Sequence, residues 1–122
     1  MITISNELLV EAGYKCWSEN PANEPHIVRK WQKVFTDDIG KKYFINVNES
    51  VGWHSYFEDL HNFWPTVQFD VCVNETSYQT ISVSLVQWFN ESGQYSKLTI
   101  SEMENYCEHI WSTLGGQYYE KY

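Results

Sequence analysis

The stretch VQFDVCV, residues 67–73, alternates large apolar residues with polar or smaller ones along its whole length. Val67, Phe69, Val71 and Val73 occupy every second position, which is the period of a β-strand with one buried face. A helix would instead place its apolar residues three and four positions apart. We therefore predict a strand over residues 67–73, in a sheet that has one apolar face and one polar face.

Three other stretches predict further strands around this one. Residues 80–89 repeat the alternation, with a change of phase near residues 86–88 that is typical of a bulge or of a strand covered on both faces. Residues 27–36 and 41–48 predict a hairpin, because the intervening DDIG, residues 37–40, lets Gly40 take a positive φ. Residues 49–66 show no clear period. We assign them to a loop between strands, with a short helix that opens at Ser55 and ends before Pro65 as the alternative.

A short helix is predicted over residues 5–12. Ser5 can cap its first turn, and Gly13 can take the left-handed conformation that ends a helix. Tyr14 would then fold back on Leu9, as the contact across such a terminus requires. The following NPANEP, residues 20–25, predicts a turn-rich loop.

A longer helix is predicted near the end of the chain. Thr99 and Glu102 form a capping box at its start, and Gly115 and Gly116 stop it. Its apolar face, at helical spacing, consists of Met103, Tyr106, Cys107, Ile110 and Leu114, with Trp111 at the edge. Together the elements predict one α+β domain, residues 1–122. It has an antiparallel sheet of about four strands, the C-terminal amphipathic helix packed on one face, and the short N-terminal helix.

The charge balance of the 122-residue chain limits its partners. Sixteen acidic residues oppose eight basic ones, which gives a net charge of −8. We expect no direct binding of nucleic acid, because a phosphate backbone is bound through Lys and Arg. We expect no membrane association either, since no apolar run approaches the roughly 18 residues of a membrane span. An acidic surface favours a basic partner instead.

The cysteines and the first residues bear on the cellular setting. Cys16, Cys72 and Cys107 are an odd number without a close pair, unlike the disulfide framework of a secreted protein. The opening MITISNE lacks the basic start and apolar stretch of a signal peptide. We therefore expect reduced thiols and a cytoplasmic protein. Cys107, on the apolar helix face, is interpreted as a core residue rather than a nucleophile.

The sequence contains no convincing catalytic constellation, so we expect a protein that is not an enzyme and uses no cofactor. Aromatic residues make up 17% of the chain, and they mix with acidic residues over positions 51–64. The leading hypothesis is an acidic protein-interaction module that binds a basic surface of a partner protein. Its candidate partner-binding residues are Trp53, Tyr56, Glu58, Asp59, Trp64, Glu104 and Glu108.

Two alternatives from other classes stay open. One is a carbohydrate- or small-ligand-binding protein, whose ligand would stack on Trp53, Tyr56 and Trp64. The other is a metal-dependent hydrolase, because His54, Glu58 and His61 would share one face of a helix at positions i, i+4 and i+7. The chain has neither His-x-x-x-His nor Cys-x-x-Cys spacing, which disfavours the metal site.

Four stretches of the chain carry a resemblance to a group of known proteins. They are LLVEAGY at residues 8–14, KKYFINV at 41–47, VQF at 67–69 and IWSTLGGQYYE at 110–120. In these stretches the chain resembles small phage- and prophage-borne proteins of uncharacterised function. The resemblance implies a bacterial cytosolic setting and a phage-type inhibitor that binds a host protein. It implies no catalytic residues, and the aromatic residues 51–64 depart from it.

Overall fold

An antiparallel β-sheet organises the chain, and each long strand pairs with the next one in sequence. The computed structural model describes residues 4–38, 40–51, 61–74, 77–85, 89–90 and 99–115. The five strands are, in order, β1 (Lys15–Glu19), β2 (Ile27–Thr36), β3 (Lys42–Val51), β4 (His61–Asn74) and β5 (Ser77–Ser84). A two-residue strand, β6 (Phe89–Asn90), pairs with β4. The predicted α+β class and antiparallel sheet are confirmed, but over the described residues the sheet has five strands and this short sixth one rather than about four.

Within the described parts of the chain two helices accompany the sheet, as predicted. They are α1 (Asn6–Glu11) and α2 (Ile100–Ile110), and α2 continues as a π-helical turn over Trp111–Gly115. The cap of α2 is confirmed, because the Thr99 hydroxyl accepts a hydrogen bond from the Glu102 backbone N–H at 3.2 Å.

Both ends of α1 are capped as predicted. The Ser5 hydroxyl accepts from the Leu8 backbone N–H at 3.2 Å. At the other end Gly13 has a φ of +95°, and the Tyr14 N–H donates to the Leu9 carbonyl at 2.9 Å. This bond, with that of the Gly13 N–H to the Val10 carbonyl at 3.0 Å, is the Schellman pattern. It turns the chain from α1 directly into β1.

Two predictions about strands were wrong. β1 was missed because Lys15–Glu19 is a short edge strand without an apolar alternation, and it is held in place by its pairing with β2. Half of the predicted loop over residues 49–66 is strand, since β3 runs to Val51 and β4 begins at His61. Pro65 concealed this strand, because proline inside a run argues against a central strand. Residues 52–60 lie outside the described part of the chain.

The last predicted strand, over residues 80–89, also has different bounds. β5 begins three residues earlier, at Ser77, and ends at Ser84. Phe89 belongs to β6, which pairs with β4 opposite Phe63. The predicted change of phase at residues 86–88 lies outside the described residues.

The core lies between one face of the sheet and the two helices. In β4 the buried positions on this face alternate, with Phe63, Val67 and Phe69 almost fully enclosed. The residues that α1 and α2 add to the same cluster are Leu9, Ile100, Met103 and Cys107, followed by Trp111 in the π-helical turn. The prediction that Cys107 is a core residue is confirmed.

The buried stripe of α2 differs in part from the predicted one. Met103 and Cys107 are buried, but Tyr106 is 55% and Leu114 41% exposed. Trp111, predicted at the edge, lies within the buried stripe, where its ring stacks on Tyr43 at a centroid distance of 5.3 Å. The stripe therefore runs through Ile100, Met103, Cys107 and Trp111, which follow each other at helical spacing.

Candidate functional site

The two faces of the sheet carry two different grooves. Strand alternation separates the faces: Phe63 and Val67 of β4 are buried against the helices, whereas Trp64 and Thr66 lie on the opposite, open face. The grooves therefore cannot act as one continuous surface, and we describe them separately.

The first groove lies between α2 and the turn of the β2–β3 hairpin, and we call it the acidic groove. Its volume is about 680 Å³. The carboxylates of Asp37, Asp38, Glu104 and Glu108 line it, and Lys33 is the single basic side chain among its described lining residues. Four negative groups thus face one positive group.

A stack of three aromatic rings forms one wall of the acidic groove. Phe35 of β2 stacks on Tyr43 of β3 with ring centroids 5.1 Å apart, and Tyr43 stacks on Trp111. The Phe35–Tyr43 pair is a directly opposed cross-strand pair. Stacked aromatic pairs of this kind contribute roughly 0.5–1.5 kcal/mol beyond the area that they bury, so the stack stabilises this wall.

The ammonium group of Lys33 already occupies part of this groove. It donates to Glu104 Oε2 at 3.2 Å and lies 4.8 Å from the centroid of the Phe35 ring. It also lies 5.5 Å from the centroid of the Tyr14 ring. The Lys33 ammonium group is therefore an example of a cation that is bound in this groove by a carboxylate and an aromatic face together.

The carboxylates of the acidic groove differ in what they contact. Asp37 accepts a hydrogen bond from Trp111 Nε1 at 3.3 Å and another from the Lys41 backbone N–H at 2.8 Å, so it holds the hairpin turn and the helix together. Glu104 is engaged with Lys33. Asp38 and Glu108 are exposed, and their charges face solvent.

Burial and the negative field of the groove raise the pKa of the neighbouring acids. The pKa of Tyr43 rises to about 12, mainly because its hydroxyl is buried and further because of Glu108. The pKa of the Cys107 thiol also rises to about 12, again through burial first and Glu104 second. Burial and Glu104 raise the pKa of Tyr14 in the same way. A buried thiol that stays protonated is not a nucleophile at neutral pH.

The second groove lies on the open face, and we call it the open-face groove. Its volume is about 440 Å³. Trp64 of β4 and Asn48 of β3, which are paired across the two strands, lie in it, and the loop that contains Glu24 and His26 forms one wall. Asn23, Ser50, Thr66 and Ser84 complete its polar lining.

Amide and hydroxyl side chains cross the open face in a row beside this groove. Gln32 Nε2 donates to Asn46 Oδ1 at 2.8 Å, and Asn46 Nδ2 donates to Gln68 Oε1 at 2.9 Å. Asn62, which is 1% exposed, has no hydrogen-bond partner for either side-chain polar atom within the described chain. Such a buried unpaired amide is rare, because it costs roughly 1–3 kcal/mol.

A buried carboxylate links α1 to the core face of the sheet. Glu49 of β3 has no exposed surface, and Arg29 Nη1 donates to its two oxygens at 2.8 and 3.0 Å. Trp31 Nε1 donates to Glu49 Oε2 at 3.2 Å. With its nitrogen towards Glu49, the Asn6 amide donates to both carboxylate oxygens, and its oxygen accepts from Arg29 at 2.7 Å. This cluster is saturated with protein partners, so we assign it to stability rather than to ligand binding.

The structure places the predicted partner-binding residues in different regions. Glu104 and Glu108 lie together in the acidic groove, and Trp64 lies in the open-face groove. The remaining four, Trp53, Tyr56, Glu58 and Asp59, are outside the described residues. Sequence reasoning missed Asp37 and Asp38 as members of the acidic groove, since they are more than sixty positions from Glu104 and their local pattern indicates only a turn.

The metal hypothesis gains no support from the described residues. They contain no group of three or more metal-ligating side chains, and His54 and Glu58 lie outside them. β4 begins at His61, which pairs with Val51, so His61 belongs to a strand.

Among the described helices, none has the length and apolar character needed to cross a membrane.

Comparisons of the chain with protein-family models, with curated proteins and with solved structures found no match.

Proposed function

We propose that the protein is a non-catalytic interaction module that binds a basic segment of a partner protein in the acidic groove. One observation carries the proposal: Lys33 lies between Glu104 and the Phe35 ring, beside the exposed carboxylates of Asp38 and Glu108. The two exposed carboxylates suit a cationic side chain of a partner protein, which would bind beside Lys33.

The chemistry favours arginine over lysine as the anchoring residue of the partner. A guanidinium group is planar, so it can pair with a carboxylate through two parallel hydrogen bonds and stack on an aromatic ring at the same time. Asp38 on the hairpin turn and Glu108 on α2 line the same groove from opposite sides. A basic segment lying along the groove would contact both.

The net charge of the whole chain supports the same partner class. At −8 the protein repels acidic surfaces at long range and attracts basic ones, and this raises the rate of encounter with a basic partner. The finer parts of the proposal, a phage-type inhibitor, a host protein as its target and a cytoplasmic setting, rest on the sequence resemblance and the cysteine content.

Titration with peptides tests the proposal. An arginine-rich, a lysine-rich and a glutamate-rich peptide of equal length are titrated into the protein, and binding is followed by calorimetry at low and high salt. We expect the arginine-rich peptide to bind most tightly and the glutamate-rich peptide not to bind. The affinity should fall with added salt, because exposed charges are screened.

Matched charge changes locate the site. Asp38→Asn combined with Glu108→Gln should weaken the arginine-rich peptide by roughly five- to tenfold. Glu7→Gln combined with Glu11→Gln removes the same charge from exposed positions on α1, outside the groove, and should have little effect. Equal weakening by both pairs would reduce the proposal to a general effect of net charge. No binding of either basic peptide at low salt would refute it.

A further inference from the structure

We propose that the open-face groove is a binding site for an uncharged carbohydrate, with the Trp64 ring as its stacking platform. The proposal is independent of the acidic groove, because the two lie on opposite faces of the sheet. It also differs from the site suggested by sequence alone, since its other residues come from β3, β5 and the loop before β2.

Trp64 has the placement that a sugar-stacking residue needs. Its ring is half-buried in a central strand and lies in a groove of about 440 Å³, within the roughly 300–1,000 Å³ of small-ligand sites. The apolar C–H face of a pyranose packs on an indole, and a ring held by a strand loses little conformational entropy when it does so.

The polar lining matches hydroxyl groups rather than charged ones. Asn48, Ser50, Thr66 and Ser84 are neutral, and each side chain can both donate and accept a hydrogen bond, as a sugar hydroxyl does. Asn62, which pairs with Ser50 across β4 and β3, is a neighbour of this lining but does not itself line the groove. The lining thus offers many hydrogen-bonding groups in a small volume.

The charges near the open-face groove neutralise each other. Glu24 and His26 line the groove, and the Glu24 carboxylate accepts a hydrogen bond from Lys30 on the same face of the sheet. Lys30 thus offsets the carboxylate of Glu24, which is the one acidic side chain among the described lining residues of the groove. This pairing favours an uncharged ligand over a cation.

The wall of the groove is held in place before any ligand binds. Within the loop the Glu24 N–H donates to the Pro21 carbonyl at 3.1 Å, and the Ile27 N–H donates to the Glu24 carbonyl at 3.0 Å. The Lys30–Glu24 ion pair ties this loop to β2. A preformed site of this kind spends little binding free energy on ordering.

The experiment is a titration with four neutral tetrasaccharides, built from glucose in β- and α-linkage, from xylose and from N-acetylglucosamine, and with a tetragalacturonate as the charged comparison. Amide and indole N–H resonances are followed by NMR up to millimolar concentration. We expect at least one neutral probe to shift the resonances of Trp64, Asn48 and Ser84, and the charged probe to shift none of them. No response to any neutral probe, or a response to the charged probe alone, would overturn the proposal.

Variants of Trp64 and Ser84 test whether the sugar binds in the open-face groove. Trp64→Ala should weaken the responding sugar at least about tenfold, and Trp64→Phe should keep part of the affinity. Because Trp64→Ala can also disturb β4, Ser84→Trp offers a second route. Ser84 is exposed on an outer strand, so a large ring there should fill the groove without affecting the core. Retained binding in Ser84→Trp would contradict the assignment.

Trp17 and Glu108 are the matched controls. Trp17 is 59% exposed on β1 and does not line the groove, but its ring centroid lies 5.4 Å from Lys30 Nζ, so Trp17→Ala should weaken sugar binding far less than Trp64→Ala does. Equal loss with Trp17→Ala and Trp64→Ala would show that the sugar binds any exposed indole. Glu108→Gln, on the other face, should affect the basic peptide and not the sugar, so the two proposals fail independently.

Discussion

At the level of single residues, Glu49 has the largest consequence for stability. A carboxylate without exposed surface costs several kcal/mol unless charged and polar partners compensate for its lost hydration. Arg29, Trp31 and Asn6 supply that compensation from β2 and α1. The cluster thus makes the placement of α1 depend on one side chain of the sheet.

Removing one member of this pair should therefore cost more than removing both. We expect Arg29→Met to lower the free energy of unfolding by roughly 3–5 kcal/mol, because it leaves the Glu49 charge buried without its cation. The double change Arg29→Met with Glu49→Met should be less damaging than Arg29→Met alone, as a buried ion pair can be replaced by apolar groups. Urea unfolding followed by circular dichroism measures both. A double variant that is as unstable as Arg29→Met, or more unstable, would contradict this account of the cluster.

At the level of elements, local chemistry explains the ends of the helices and the hairpin turn. Ser5, Gly13 and Thr99 act as their types and positions predict. In the β2–β3 turn the Gly40 N–H donates to the Asp37 carbonyl at 3.1 Å, and Gly40 has a φ of +85°. The side chain of Asp37 reinforces this turn through the Lys41 N–H. These contacts span no more than five positions, so they can be predicted from sequence.

A substitution at Gly40 measures how much the backbone conformation of this residue contributes to the stability of the β2–β3 turn. A Cβ at this position would meet nothing within 4 Å, so Gly40→Ala adds backbone strain without a steric clash. We expect a loss of about 1 kcal/mol in the free energy of unfolding, because an L-residue resists a positive φ. Gly40→Asn should lose less, since asparagine tolerates this region. Thermal and urea unfolding compare the two, and an alanine variant as stable as the parent would contradict the expected strain.

At the level of the whole molecule, the packing of α2 on the sheet couples stability to pH. The pKa of Tyr43 is about 12 in the folded protein and near 10 in the unfolded chain. Between these values the unfolded chain loses the proton and the folded protein keeps it, so stability falls as the pH rises from about 10 to about 12. The contribution of Tyr43 is fully present below pH 10 and amounts to at most about 3 kcal/mol. The raised pKa of Tyr14 acts in the same direction.

We expect Tyr43→Phe to reduce this alkaline loss of stability. Urea unfolding measured between neutral pH and pH 11.5 gives the slope for the parent and the variant. Tyr106→Phe, which changes an exposed tyrosine on α2, is the control and should leave the slope as it is. If both variants show the parent slope, other groups govern the alkaline transition.

The relation of the two grooves to the fold also belongs to this level. The acidic groove joins residues 33–38 and 43 to residues 101–112, and the open-face groove joins residues 23–27, 48–50, 64–66 and 84. Each groove exists only because distant segments are packed side by side. The proposals for a basic peptide and for a sugar therefore follow from topology as much as from residue type.

Local pattern alone was sufficient for the fold class, the helix caps, the hairpin and the alternation of β4 after residue 67, because each depends on residues close in the chain. Pairing across the sheet decided the rest. It made a strand of Lys15–Glu19, which has no apolar period of its own, and carried β4 through Pro65 to His61. It also placed Trp64 in one groove and Glu104 with Asp37 in the other. Such contacts depend on the register between strands and on the rotation of α2 against them, and neither is encoded in the spacing of residues within one element.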